Sequence, residues 1–292
     1  MTLVLYGLIT GILAGSVYAL MAAGLTLIFG VMDIINIAQG AFVILGAYLS
    51  YMLAKYLGID LFLGLFITIP VMFVLGIILE WTLIRPLKRD RTQLSILVTY
   101  AAAIIIEGIL TYYFTGQFKG LHAWYTTHSS VRIGEFYLPD IYLMSLGLSI
   151  LLLGLLYLLL YRTRFGRSVR AMMQNRAAAL LIGIDVERVA ALTFGVGVAL
   201  AAAGGMAYGA TSAFQPNSHY DLISRLLVII IFAGMGSVGG AIAASILMLV
   251  TYTETSLLWS PVWASTVFYL LLVIILFLRP QGLFGKIATR KQ

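Results

Sequence analysis

The sequence predicts an all-α fold, a polytopic transmembrane bundle of about eight or nine membrane segments that include short or broken helices. Of its 292 residues, 62% are hydrophobic and only 10% are charged, whereas soluble domains are about 45–50% apolar and about 25% charged. The mean hydropathy is +1.03. The apolar runs are continuous and about twenty residues long, the length at which a helix crosses a hydrocarbon core of about 30 Å.

The membrane segments follow one another along a single domain that spans residues 1–292. Their apolar stretches are 3–29, 41–57, 61–84, 94–115, 141–161, 189–213, 222–233, 241–253 and 262–278. The first is too long for the core of a signal peptide, so we expect a retained span. Residues 222–233 and 241–253 are short and flank a glycine-rich stretch at 233–240. They are either two short crossings or one broken, re-entrant pair buried in protein.

The distribution of Lys and Arg predicts the orientation. Three basic clusters fall on one side of alternating crossings, and the positive-inside rule makes that side cytoplasmic. The clusters are Arg85, Lys88, Arg89 and Arg91; Arg162, Arg164, Arg167, Arg170, Arg176 and Arg188; and Arg279, Lys286, Arg290 and Lys291. A loop at about 162–188 and the C-terminus are then cytoplasmic, and a loop at about 116–139 faces outward. With about nine crossings, the uncharged N-terminus is also outside.

A short basic segment, VRAMMQNRAAALLIGIDVERV at Val169–Val189, interrupts the apolar sequence. A helix over 169–184 would carry one apolar stripe, formed by Met173, Ala177, Leu180, Leu181 and Ile184. Arg170, Gln174 and Asn175 lie mostly off this stripe. Gly183 can end the helix, and Asp185 can cap the next span. The helix either lies on lipid headgroups or docks a cytoplasmic partner, with its stripe on the membrane domain and its polar edge exposed.

Three polar residues, Asp33, Asn36 and Gln39, fall in an otherwise apolar stretch. In a helix, their spacing of i, i+3 and i+6 would place them near one face. Polar groups at membrane depth are costly unless they are paired or face a cavity. They therefore either tie this segment to its neighbours or line a substrate path.

Glycine spacing and a lone carboxylate raise similar alternatives. Gly236 and Gly240, with Gly234 and Gly239 nearby, indicate either close helix packing or a broken helix that lines the path.

Glu107 lies in the middle of a span without an evident partner in the sequence. It is either a protonated or hydrogen-bonded packing residue or part of a proton relay.

Several functional classes find no support. The chain has no cysteine, which excludes disulfides, thiolate metal sites and a cysteine nucleophile. His122, His128 and His219 are expected on outer loops without a ligand spacing, so we assign no metal. There is no GxxxxGK[ST] phosphate loop and no catalytic triad or carboxylate pair, so we expect neither an enzyme nor ATP hydrolysis by this chain. The net charge of +7 reflects cytoplasmic loop bias rather than binding to nucleic acid.

Four separated motifs, in order, resemble the LivH-type permeases of branched-chain amino-acid ATP-binding-cassette importers. The first, GLTLIFGVMDIINIAQGAFVILGAYL at 24–49, has Gln39 before Gly40, where histidine is common in that family. TRFGRSVRAMMQNRAAALLIGIDVERVAALTF at 163–194 resembles the family's cytoplasmic loop. Its AAALLIG keeps the alanine pair and later glycine of the EAA–G coupling motif but lacks the initial glutamate and the downstream proline. FAGMGSVGGAIAAS at 232–245 and LFLRPQGLFG at 276–285 are similar to the remaining two motifs.

The resemblance implies a permease in the cell (inner) membrane that moves branched-chain or hydrophobic amino acids by alternating access. It implies as partners a second permease subunit, homologous or identical, two cytoplasmic ATPase subunits that bind ATP and Mg²⁺, and an extracytoplasmic binding protein. This chain itself would bind no cofactor. The implied ATPase-coupling residues are Arg170, Gln174, Asn175, Ala177, Ala178, Gly183 and Asp185. The implied pathway residues are Asp33, Asn36, Gln39, Gly40, Gly234, Gly236 and Gly239. The alternatives are a related permease for urea, short amides or another amino acid, or an ion-coupled secondary transporter.

Overall fold

The computed structural model describes residues 2–87, 91–121, 130–133 and 136–285. The helices are α1 (Thr2–Met32), α2 (Gln39–Leu57), α3 (Leu61–Leu79, continued by a π-helical turn at Glu80–Ile84), α4 (Arg91–Phe114), α5 (Asp140–Arg162), α6 (Arg164–Gln174), α7 (Arg176–Leu181), α8 (Val186–Thr211), α9 (His219–Ala233), α10 (Val238–Leu258) and α11 (Pro261–Leu278). Within the described residues, eight helices are long and apolar enough to cross a membrane. The predicted all-α membrane bundle is therefore confirmed.

A small antiparallel hairpin is the main departure from helix. Strands β1 (Ser130–Ile133) and β2 (Phe136–Pro139) pair with Ser130 opposite Pro139. The hairpin lies in the predicted outer loop. Some residues named from the sequence lie outside the described ranges: Lys88, Arg89, His122, His128, Lys286, Arg290 and Lys291.

The two ends of the bundle differ in charge. At the end that we call the basic end, Arg85 pairs with Glu187 at the start of α8, and a guanidinium nitrogen of Arg91 lies 4.0 Å from a carboxylate oxygen of Glu80. Helices α6 and α7 lie at this end. The opposite end, the hairpin end, carries β1 and β2, the end of α2 and the start of α11. The chain begins at the hairpin end, where Gly7 packs against Glu254 of α10.

Small residues let the central helices approach closely. Helix α8 is rich in alanine and glycine, is the most buried candidate span and packs against α1, α2 and α3. Gly11 and Gly15 of α1 lie against Val250 and Ile246 of α10. Small-xxx-small spacing permits such backbone contact. Gly11 and Gly15 therefore serve the packing of α1 on α10.

Two helices begin inside the bundle rather than at its surface. Helix α1 ends at Met32 near the basic end, and residues 33–38 return without helix to the middle, where α2 starts at Gln39. In the same way α8 ends near the hairpin end, and the chain re-enters through a short 3-10 turn, Pro216–Ser218, before α9 begins. The two re-entrant units run in opposite directions, an arrangement found in transporters with inverted repeats.

This course resolves the short apolar stretches. Residues 222–233 belong to α9, whose 15 residues cross only part of the bundle. The rest of this crossing is made by the re-entrant lead, which is the non-helical chain and the 3-10 turn that precede α9. Residues 241–253 are the middle of α10, a full span of 21 residues. Counting α9 with its lead, the chain traverses the bundle nine times among the described residues. The helix considered for Asp33 to Gln39 is absent, because residues 33–38 are not helical and the chain turns at Asp33, which has φ 55°.

Candidate functional site

The predicted polar residues at the start of α2 form a buried network. The Gln39 side-chain amide donates to the carbonyl oxygens of Gly197 at 3.2 Å and Met21 at 3.5 Å. Asn36 donates to Oε1 of Gln39 at 3.2 Å. Both side chains are 0% exposed. They tie α2 to the middles of α1 and α8, which supports the structural alternative, and their pathway role stays a prediction.

Gly40 lets the two re-entrant helices meet. A Cβ at this position would lie 2.5 Å from the carbonyl oxygen of His219, the first residue of α9. A larger residue would therefore push the two helix starts apart. The starts of α2 and α9 consequently face each other at mid-depth.

A polar cluster lies at the start of α9. His219 Nε2 is 3.1 Å from Oε2 of Glu107, and the Tyr220 hydroxyl donates to the same oxygen at 2.9 Å. The prediction that His219 lies on an outer loop was wrong. The chain before α9 re-enters the bundle, so His219 lies inside it and is only 1% exposed. Glu107 is hydrogen-bonded, as one alternative held. Its partners are 112 and 113 residues away in the sequence, so local spacing could not reveal them.

A cavity of about 1030 Å³ opens at the basic end. Its walls contain residues of both predicted groups: Asp33, Gly236 and Gly239 of the pathway group, and Arg170, Gln174 and Asn175 of the coupling group. Gly40, Asn36 and Gln39 do not line it. The structure thus divides the pathway residues between a buried centre and this basic-end cavity.

Gly234, the remaining predicted pathway residue, lies neither in the buried centre nor in the cavity wall, because it packs against the C-terminal turn. The Leu283 and Phe284 amides donate to the carbonyl oxygens of Phe232 and Ala233, each at 2.8 Å. Gly234 has φ 95°, and a Cβ there would lie 2.5 Å from the Gly285 nitrogen. The RPQGLFG motif and the glycine-rich motif therefore form one backbone junction, which we call the α9–α11 clamp.

The segment predicted as one helix over 169–184 is two helices. Helix α6 ends at Gln174, and Asn175 caps α7 by accepting a hydrogen bond from the Ala178 amide at 3.0 Å. Asp185 caps α8, as predicted, through the Arg188 amide at 3.1 Å. Gly183, with φ 83°, follows the end of α7.

The exposure of this segment departs from the prediction in its apolar stripe, whereas Gln174 and Asn175 are exposed as expected. We call the tip formed by Leu180, Leu181 and Ile182 the apolar tip; these residues are 63%, 87% and 74% exposed. Ala177, Ala178, Gly183 and Asp185 are also exposed. Helix α7 buries Ala179 rather than its leucines, so the predicted stripe is not buried at Leu180 and Leu181. The expectation that the apolar side would root the segment was wrong for α7.

Helix α6 is anchored to the bundle instead. Arg170 donates to the Leu160 carbonyl oxygen and lies 4.9 Å from the ring centre of Tyr161. The Met173 methyl group reaches α1, where a Cβ on Gly30 would lie 2.6 Å from it. Helix α6 thus connects the apolar tip to the wall of the cavity. Among the described residues, no three His, Asp or Glu side chains cluster as metal ligands would.

Spanning helices joined to two opposed re-entrant helices define a multi-pass membrane protein of the transporter class. The chain belongs to the family described as the branched-chain amino acid transport system permease component, whose profile matches residues 7–276.

Individual relatives are distant but cover nearly the whole chain. The high-affinity branched-chain amino acid transport system permease protein LivH of Salmonella typhimurium is 26% identical over 96% of this chain and 95% of the relative. The probable LivH of Methanocaldococcus jannaschii is 28% identical over 94% and 90%. The permease protein LivM of Escherichia coli is 24% identical over 91% and 67%. No solved structure matches the chain.

Proposed function

We propose that this chain is the translocation subunit of an ATP-driven importer for branched-chain or other hydrophobic amino acids. Family membership and the names of its relatives support the substrate class. The observation that supports the proposal is the cavity at the basic end, because residues predicted for the pathway and residues predicted for coupling line the same space. A movement of α6 would change the shape of that space directly.

The basic end is cytoplasmic in this proposal, following the positive-inside rule. The apolar tip then projects into the cytoplasm, where it inserts into a cleft on an ATPase subunit that binds ATP and Mg²⁺. Exposed apolar residues at the end of a membrane bundle are typical of a protein interface. A binding protein delivers the substrate at the hairpin end, and a second permease subunit completes the assembly in the cell (inner) membrane.

Met173 carries the movement from the ATPase to the pathway. Its methyl group packs against Gly30 near the end of α1, and the same α1 segment lines the cavity. When the ATPases close on ATP, α6 shifts, and Met173 displaces the end of α1 relative to the 235–239 turn. The cavity closes or opens toward the cytoplasm as a result, which is the inner half of alternating access.

Reconstitution tests this function. Proteoliposomes that contain the chain, a second permease and two ATPase subunits should accumulate L-leucine when the binding protein and ATP are supplied. Withholding ATP or the ATPase subunits should abolish uptake. Uptake by this chain alone, driven by an ion gradient, would instead establish the secondary-transporter alternative. Accumulation of urea or a short amide in place of leucine would retain the mechanism and change the substrate.

A further inference from the structure

We propose that Glu107, with His219 and Tyr220, forms a binding site for the primary ammonium group of the transported amino acid. The inference rests on the proposed function and adds to it a specific recognition site. Only one oxygen of the Glu107 carboxylate is engaged, because His219 and Tyr220 both bond to Oε2. Within the described residues, no donor reaches Oε1. The Glu107 side chain is 23% exposed, so Oε1 can accept from a ligand.

The depth of this carboxylate favours a role beyond packing. Glu107 lies seven residues before the end of α4 at Phe114, which is about 10 Å along the helix axis. That depth is within the span, where carboxylates are costly unless they are paired or face an aqueous path, and the partners of Glu107 engage only one of its two oxygens. A substrate that enters from the hairpin end would meet Glu107 before it reaches the buried network of Gln39.

The face of α9 beside Glu107 indicates an aqueous path. Tyr220, Asp221 and Ser224 are exposed and lie on one side of this helix, although α9 starts inside the bundle. Lipid-facing surfaces at this depth are normally apolar. A polar stripe on a short re-entrant helix is therefore expected to face water or a ligand rather than hydrocarbon.

The surrounding groups suit an organic cation. The rings of His219 and Tyr220 lie with their centres 4.0 Å apart and their planes inclined by 36°, and Tyr100, on the same face of α4 as Glu107, adjoins Tyr220. A carboxylate beside aromatic rings binds ammonium groups by charge-assisted hydrogen bonds and by cation–π attraction. His219 is itself held in place, since it is nearly fully buried at the contact with Gly40.

Ligand binding to the full-length chain in phosphatidylcholine nanodiscs, without binding protein, tests the assignment. The probes are L-leucine, 3-methylbutylamine, which keeps the ammonium, and 4-methylpentanoate, which keeps only the carboxylate. We expect the first two to bind and the third not to bind. Glu107→Gln should weaken leucine binding by about 10- to 100-fold, the size of a hydrogen bond to a charged group. Glu107→Asp, which keeps the charge, should retain part of the affinity.

Glu254→Gln is the matched control, because Glu254 is another carboxylate near the hairpin end, packed against Gly7 on α1. It should bind leucine as the wild-type chain does. Unchanged binding to Glu107→Gln, binding of 4-methylpentanoate equal to that of leucine, or no leucine binding to the wild type would overturn the site. Displacement of leucine by phosphatidylethanolamine in the nanodiscs would assign the site to a lipid headgroup and also overturn the proposal.

The same variants separate this site from the transport function. If reconstituted wild type shows ATP-dependent leucine uptake while Glu107→Gln binds leucine normally, the ammonium site fails and the proposed function stands. If the wild type binds leucine through Glu107 but ATP with all partner subunits drives no uptake, the proposed function fails and the site stands.

Discussion

Replacing Leu181 with alanine should weaken the association of the chain with its ATPase subunit. The Leu181 side chain is 87% exposed at the apolar tip, so nearly all of it is available for burial by a partner. Full burial of a leucine side chain contributes about 1.5–3 kcal/mol. Alanine keeps one of the four side-chain carbons, so the expected loss is about 1–2 kcal/mol, or about 5- to 30-fold in Kd.

The assay is a titration of the ATPase subunit onto the chain in nanodiscs, with Kd as the readout. Leu151→Ala is the matched control, because Leu151 is 60% exposed but lies within the membrane span of α5. We expect its Kd to match the wild type. An unchanged Kd for Leu181→Ala, or an equal loss for Leu151→Ala, would refute docking through the apolar tip. Both leucines are mostly exposed, so a folding defect is not expected.

Three further predictions concern the interior. Met173→Ala should leave ATPase binding intact but lower leucine uptake per ATP hydrolysed, because the contact with Gly30 is lost; equal coupling ratios would contradict this. Gln39→Leu should cost about 1–3 kcal/mol of stability by leaving the buried Asn36 amide without its acceptor, measured as a lower Tm in detergent. Gly234→Ala should lower Tm by several degrees, since both its positive φ and its neighbours exclude a Cβ, whereas Gly108→Ala, in open space on α4, should not.

The spanning helices could be predicted from the sequence because hydropathy and length dominate in a membrane. Of the two re-entrant helices, the sequence predicts only α9 as a short segment and predicts α2 as an ordinary span. The depth at which these helices begin depends on contacts between residues that are far apart in the sequence. The Gln39 side chain, for example, donates a hydrogen bond to the carbonyl oxygen of Gly197, 158 residues away. No local pattern encodes that partner, so the stretch from Asp33 to Gln39 invited a helical interpretation that the structure does not show.

The basic segment at Val169–Val189 illustrates a different limit. Its apolar periodicity was real, but periodicity alone cannot say whether an apolar face is buried in the chain's own bundle or kept for a partner. One residue, Asn175, decides the outcome, because its side chain caps α7 and breaks the helix. Asparagine is a good N-cap, so the break was accessible from the sequence. The exposure of Leu181 was not.

The α9–α11 clamp has a mechanical consequence. Backbone hydrogen bonds from Leu283 and Phe284 hold the last residues of α9, so that end of the helix cannot swing independently of the C-terminal turn. The other end of α9, at His219, is held by the backbone of Gly40 on α2 and by the Glu107 carboxylate on α4. Helix α9 is thus secured at both ends to different parts of the bundle, so a displacement of the C-terminal turn would be transmitted along α9 to the start of α2 and to α4.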